Sequence, residues 1–97
     1  MTTVKIETKD TIRIEIIGHA NYGPSGCDIV CAAVSILSTV LIQRLIEVDA
    51  KPYYEYLSGR VIVEYKENEK TIEILNTILC GFRLLTEQYP DNVKIIL

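Results

Sequence analysis

The sequence predicts an α+β domain. Two β-hairpins and a C-terminal strand form one sheet, and two α-helices pack on one face of it. Three observations carry this expectation. Short stretches of apolar residues alternate with polar ones at period 2, as in half-buried strands. Two long segments repeat apolar residues at helical spacing and separate the strand pairs. The length of 97 residues supplies one hydrophobic core, so residues 1–97 are expected to form a single domain.

The elements follow in order. Val4 and Ile6, then Ile12, Ile14 and Ile16, alternate with Lys5, Glu7, Arg13 and Glu15, which predicts two strands joined at a tight turn around Lys9-Asp10. Gly18 to Gly26 contains three glycines and a proline, which stop any regular element and predict a mobile loop. Asp28 is a suitable N-cap for a helix over Ile29 to Ile46, closed by Glu47-Val48-Asp49 ahead of Pro52. Tyr53 to Leu57 and Arg60 to Tyr65 flank Ser58-Gly59, a hairpin signal. Asn68 caps a second helix through Tyr89, with Ile74, Leu75, Ile78, Leu79, Phe82 and Leu85 on its apolar side and Pro90 ending it. Val93 to Leu97 completes the order β-β-α-β-β-α-β, in which neighbouring strands pair through hairpins.

Composition narrows the function classes. Ten Lys and Arg against 13 Asp and Glu give a net charge of −3, without the basic excess that supplies affinity for a phosphate backbone, so direct nucleic-acid binding is not expected. Three cysteines are an odd number and too few for a disulfide scaffold. They read as thiols in the reducing cytoplasm, and no export signal is visible. Ile29 to Leu41 carries Ser35, Ser38 and Thr39 and runs into Gln43-Arg44, short of the roughly 20 apolar residues of a membrane span. It reads as a buried helix, and no membrane partner is expected.

The chemistry-bearing residues gather between the second strand and the first helix. At about 100° per residue, Ile29, Val30, Ala33, Val34, Leu37, Val40, Leu41 and Leu45 share one sector of the helix, the expected core face. Cys31 falls on the opposite arc with Ser35, Ser38 and Ile42. Beyond the Asp28 cap, Cys31 sits in the first turn, where unpaired N–H groups and the helix dipole favour a thiolate. His19 is the single histidine and stands at the end of the second strand, one loop before the cysteine. An imidazole in reach of a thiol can remove its proton and protonate a leaving amine.

The residues alone leave other readings open. Cys31 also reads as a small apolar helix residue, and His19 as a satisfied strand-end residue. His19, Cys27, Asp28 and Cys31 are metal-ligand types, but a fourth ligand would have to be Cys80, and the spacing is not that of a zinc knuckle. No metal or cofactor is expected, and Cys80 is expected in the helix packing. The tyrosines at 53, 54, 56 and 65 lack the basic interleaving of a base-stacking surface and read as hairpin packing. A noncatalytic binding module and a thiol redox or metal protein remain the alternatives to an enzyme. Ile42 and Ile46 give helix one more apolar circumference than one sheet face covers, which points to a two-fold homodimer with that helix at or near the interface.

Gly18-His19-Ala20, a glycine-containing loop, and Asp28-Ile29-Val30-Cys31-Ala32-Ala33-Val34-Ser35 together resemble the signature of the bacterial ribosomal-processing cysteine protease (Prp) family. Length and element order agree with it across essentially the whole chain. The resemblance implies a homodimeric cysteine endopeptidase that removes the short N-terminal extension of the twenty-seventh large-subunit ribosomal protein, or cuts related phage structural proteins. It implies Cys31 as nucleophile and His19 as general base and acid. Gly18 would turn the chain at the strand end, Asp28 would cap the helix or orient the site, and Ser35 would support Cys31 one turn below. Ala20, Asn21, Tyr22, Gly23, Pro24, Ser25 and Gly26 would form the substrate loop, which is less charged than is usual in the family.

Overall fold

Alternation in the first seventeen residues becomes β1 (Thr2–Thr8) and β2 (Ile12–Ile17) in the computed structural model, which describes residues 1–24 and 26–97. They pair antiparallel, with Val4 opposite Ile16 and Ile6 opposite Ile14. β3 (Tyr53–Leu57) and β4 (Arg60–Tyr65) form the second hairpin. β4 pairs antiparallel with β2, and β5 (Val93–Ile96) pairs parallel with β1. The result is one sheet of five strands, as the sequence predicts, with the order β3-β4-β2-β1-β5 and one parallel pair supplied by the structure.

Register puts Val4, Ile14, Ile16, Val61, Val63 and Tyr65 on one face, where they join α1 (Ile29–Glu47) and α2 (Glu69–Gln88) in a single buried cluster. Phe82, Ile78 and Ile74 enter it from α2; Val30, Leu41 and Leu45 enter it from α1. Both caps predicted from sequence form. Asp28 accepts the Val30 and Cys31 N–H groups, and Asn68 with Thr71 makes a reciprocal capping box. The opposite face of the sheet carries ion pairs, Arg13 with Glu64 and Arg60 with Glu15. Ile62 lies there opposite Glu15 and is still buried, in keeping with the way long charged side chains cover apolar surface with their stems.

The orientation of α1 corrects the helical wheel. Its buried residues are Val30, Val34, Ser38, Leu41, Ile42 and Leu45, whereas Ile29, Ile36 and Val40 are exposed. The core arc is therefore rotated toward the cysteine, and half-buried Cys31 packs at its margin. Ser38 is tolerated inside because its hydroxyl donates to the Val34 carbonyl at 2.7 Å, leaving no polar group unpaired. By length and composition α1 could cross a membrane, but here it is the helix that buries Leu41 and Leu45 in the core. Cys80, expected in the helix packing, is exposed on α2.

Five chain segments meet at one end of the sheet. They are the start of β1, the end of β2, the β3–β4 turn, the start of β5 and the N-terminus of α1. Register sets Thr3 beside Ile17, Ile17 beside Arg60, and Thr2 beside Val93. Backbone bonds then cross this end, from the Gly18 N–H to the Gly59 carbonyl at 2.9 Å and from the Thr2 N–H to the Asn92 carbonyl at 2.8 Å.

Candidate active site

Gly18 and His19 leave β2 at this end, and backbone geometry decides their identities. Gly18 has φ +97°, and a Cβ there would run into the Met1 carbonyl oxygen, so a side chain is doubly excluded. The exposed His19 ring lies over Gly59 of the β3–β4 turn, where an added Cβ would stand 2.9 Å from His19 Nε2. The next residue, Ala20, is buried at 1% exposure. Its N–H donates to Cys31 Sγ at 3.3 Å, and its carbonyl accepts from Asn92 Nδ2 at 2.9 Å.

Cys31 and His19 line two adjoining depressions. One, about 210 Å³, lies between α1 and the β3–β4 hairpin and includes Tyr56, Leu57 and Gly59 in its wall. The other, about 540 Å³, lies over the start of α1 and includes Asn21, Gly23 and Asp28. Among the described residues the hydrogen bond that reaches Sγ comes from Ala20, and none joins the imidazole to the sulfur. Catalytic hydrogen bonds commonly tighten only when substrate is present.

Asp28 does more than cap. Its Oδ1 accepts Val30 N–H at 2.9 Å and Cys31 N–H at 3.0 Å, while Oδ2 accepts Tyr22 N–H at 2.8 Å and Gly23 N–H at 3.1 Å. Asn21, in the left-handed region at φ 56°, turns the chain so that the two loop N–H groups point the same way. The Cys31 N–H above all, with those of Gly23, Tyr22 and Val30, holds the Asp28 carboxyl down to about 2. Within the loop Tyr22 and Gly23 are bonded to Asp28, the Ala20 carbonyl is bonded to Asn92, and the Tyr22 ring meets Tyr89 edge-on at 5.0 Å between centroids. Pro24 accepts the Cys27 N–H at 2.9 Å, and Gly26 lines the larger depression. Ser25, expected within this loop, lies outside the described residues.

Ser35 is exposed and lines both depressions, but its side chain makes no hydrogen bond to Cys31 among the described residues; its carbonyl accepts Thr39 Oγ1 at 2.8 Å. No group of three or more metal-ligating side chains comes together among the described residues. Sequence reasoning missed Asn92, Gly59 and the Tyr56-Leu57 wall. Only Gly59 left a local trace, as the glycine of a two-residue turn.

A half-buried thiol in the first turn of a helix, beside the single histidine and under open depressions, defines a small α+β protein of the thiol-nucleophile class. Comparison with known proteins makes this specific. The family model described as cysteine protease Prp matches residues 1–94. The chain is 26% identical to the ribosomal processing cysteine protease Prp of Staphylococcus aureus over 98% of its own length and 97% of that protein. It superimposes on the crystal structure of the S. aureus essential ribosomal processing protease Prp in complex with a covalently linked product peptide. The TM-score is 0.90 at 27% identity, covering 99% of this chain and 98% of that one. A second crystal structure of that protease, with a substrate peptide, matches at TM-score 0.83 and 26% identity, over 98% and 97% of the two chains. The chain belongs to the cysteine protease Prp family and is a cysteine protease, which sets aside the binding-module and redox or metal alternatives.

Proposed function

We propose that residues 1–97 act as one protease domain that removes the short N-terminal extension of the twenty-seventh large-subunit ribosomal protein of its host, or cuts a related phage structural protein, through a Cys31–His19 dyad. The observation that carries the reading is the placement of Cys31 Sγ, which accepts the Ala20 N–H and shares both open depressions with His19. Cys31 gives its proton to His19 and attacks the scissile carbonyl carbon. The tetrahedral intermediate collapses as His19 passes the proton to the leaving amine, and water then hydrolyses the thioester with His19 as base. Gly18 lets the chain turn into the site, Asp28 caps α1 and ties it to the substrate loop, and Ser35 lines the depressions beside the thiol.

Incubation with the extended ribosomal protein, read by mass analysis of the products, tests this. Cys31→Ala and His19→Ala are expected to abolish cleavage while leaving the circular-dichroism spectrum unchanged. Cleavage by Cys31→Ala at the wild-type rate would overturn the assignment.

The active form is proposed to be a homodimer. Ile42, counted from sequence as part of an uncovered side, is buried within the protomer at 7% exposure. Ile46, the other residue counted there, is exposed at 45%, and Ile29, Ile36 and Val40, at 59%, 59% and 40% exposure, add an apolar stripe along one side of α1 as a self-complementary interface requires. The cytoplasm, where thiols stay reduced, suits a chain whose Cys27, Cys31 and Cys80 are free.

A further inference from the structure

We propose that Asn92 is a positioning residue of the thiol site, holding the Ala20 carbonyl so that the Ala20 N–H stays aimed at Cys31 Sγ. The inference rests on the reading of Cys31 as nucleophile and adds a residue from the opposite end of the chain.

The N–H groups at the start of a helix are the usual source of stabilisation for a thiolate or an oxyanion, but here those of Val30, Cys31 and Ala32 are committed. Asp28 Oδ1 takes the N–H of Val30 and of Cys31 itself, and the Asp28 carbonyl takes that of Ala32 at 3.1 Å. The nearby loop donors Tyr22 and Gly23 go to Asp28 Oδ2. Among the described residues, the Ala20 N–H is the donor that points at the sulfur, at 3.3 Å. A donor there favours the charged form of the thiol. After attack the oxyanion is two bonds from that sulfur, so a donor placed there stands close to the developing charge.

The aim of this N–H depends on how residue 20 is held. β2 has ended at Ile17, and no ladder bond extends to Ala20. The bond that fixes its carbonyl comes from Asn92 Nδ2 at 2.9 Å, across 72 positions of sequence. Asn92 is itself immobilised by its backbone, which donates to the Tyr89 carbonyl at 3.0 Å and accepts from Thr2 at 2.8 Å, immediately before β5. Its amide is therefore presented from a fixed frame, as a residue that orients a reacting group must be. A purely space-filling role would need only the shape of the side chain. The role assigned here needs its N–H, because the atom it faces is a carbonyl oxygen.

That difference gives the test. Wild type, Asn92→Ala and the near-isosteric Asn92→Asp are compared in two measurements. One is the pH dependence of Cys31 alkylation by iodoacetamide, with the label located by peptide mapping. The other is steady-state cleavage of the extended ribosomal protein. Both variants are expected to move the alkylation midpoint to higher pH and to lower kcat by ~10-fold, the scale of one hydrogen bond to a charged group, with KM within about twofold. Asn92→Asp alkylated and turning over like wild type would overturn the proposal, because the aspartate keeps the shape and lacks the donor. So would an Asn92→Ala protein with a lowered melting temperature but unchanged profile and kcat. Wild-type cleavage that survives Cys31→Ala is a separate result, which removes the dyad and this inference with it.

Discussion

Gly59→Ala tests whether the β3–β4 turn shapes the site through His19. Gly59 adopts φ +73°, and a Cβ built on it would lie 2.9 Å from Nε2 and 3.3 Å from Cε1 of His19. Two costs follow. An L-residue in the left-handed region costs ~1–2 kcal/mol, which for a chain of this size lowers the melting temperature by roughly 4–15 °C. Separately, the imidazole must retreat by about 0.5 Å to restore van der Waals contact with the new methyl. A general base works only within hydrogen-bond reach, and a 1 Å misplacement can cost about 10²-fold, so a loss of roughly 10-fold in kcat is expected beyond any unfolded fraction. His19 is the single histidine, so its ring protons give one assignable imidazole signal by NMR. The assay pairs that signal and its pH titration with kcat, measured well below the melting temperature. A variant that is less stable but keeps the wild-type imidazole signal and turnover would refute the reasoning, reducing Gly59 to a turn residue.

Two further expectations concern Asp28 and the exposed side of α1. The Asp28 carboxyl is lowered from 3.8 to about 2 by the N–H groups it accepts. Its contribution is therefore complete above about pH 4 and lost as pH falls toward 2. The backbone amide signals of Tyr22, Gly23, Val30 and Cys31 should shift together in that window in wild type and not in Asp28→Asn, and independent movement of the loop and helix amides would show that the carboxylate does not couple them. Sedimentation at micromolar concentration should give a species of twice 11.0 kDa that Ile36→Lys dissociates, whereas an 11.0 kDa wild-type species would remove the proposed homodimer.

The fold was legible because its signals are local. The alternation of Val4-Lys5-Ile6 and Ile12-Arg13-Ile14 sets strand faces without reference to anything distant, and Asp28 and Asn68 announce their helices by side-chain chemistry. The orientation of α1 was not legible, for a physical reason. Ile29, Ile36 and Val40 are as apolar as Val30, Leu41 and Leu45, so the polar row Ser35, Thr39, Gln43 and Glu47 is flanked by apolar residues on both sides, and one misread serine tips the choice. Ser38 looks like a surface residue until its bond to the Val34 carbonyl is known. The site divides in the same way. Cys31 and His19 stand out by position and by scarcity, but Asn92 reaches Ala20 through a turn 72 residues away, and the contact of Gly59 with His19 depends on a strand pairing that only the folded sheet supplies.

The placement of Asp28 resolves an apparent conflict in the sequence. A carboxylate three positions before Cys31 should oppose a thiolate there, and it occupies the helix terminus that would otherwise stabilise one. In the structure its charge is spent on four backbone N–H groups, two from the loop and two from the helix. Asp28 thereby fixes the distance between the strand end that carries His19 and the helix turn that carries Cys31. The hydrogen bond to the sulfur comes from the strand side, from the Ala20 N–H, whose residue is anchored by Asn92 just before β5 rather than from α1. Helix capping and the hydrogen bond to the sulfur thus use different backbone groups, and the acidic cap at Asp28 does not compete for the bond that the Cys31 sulfur accepts.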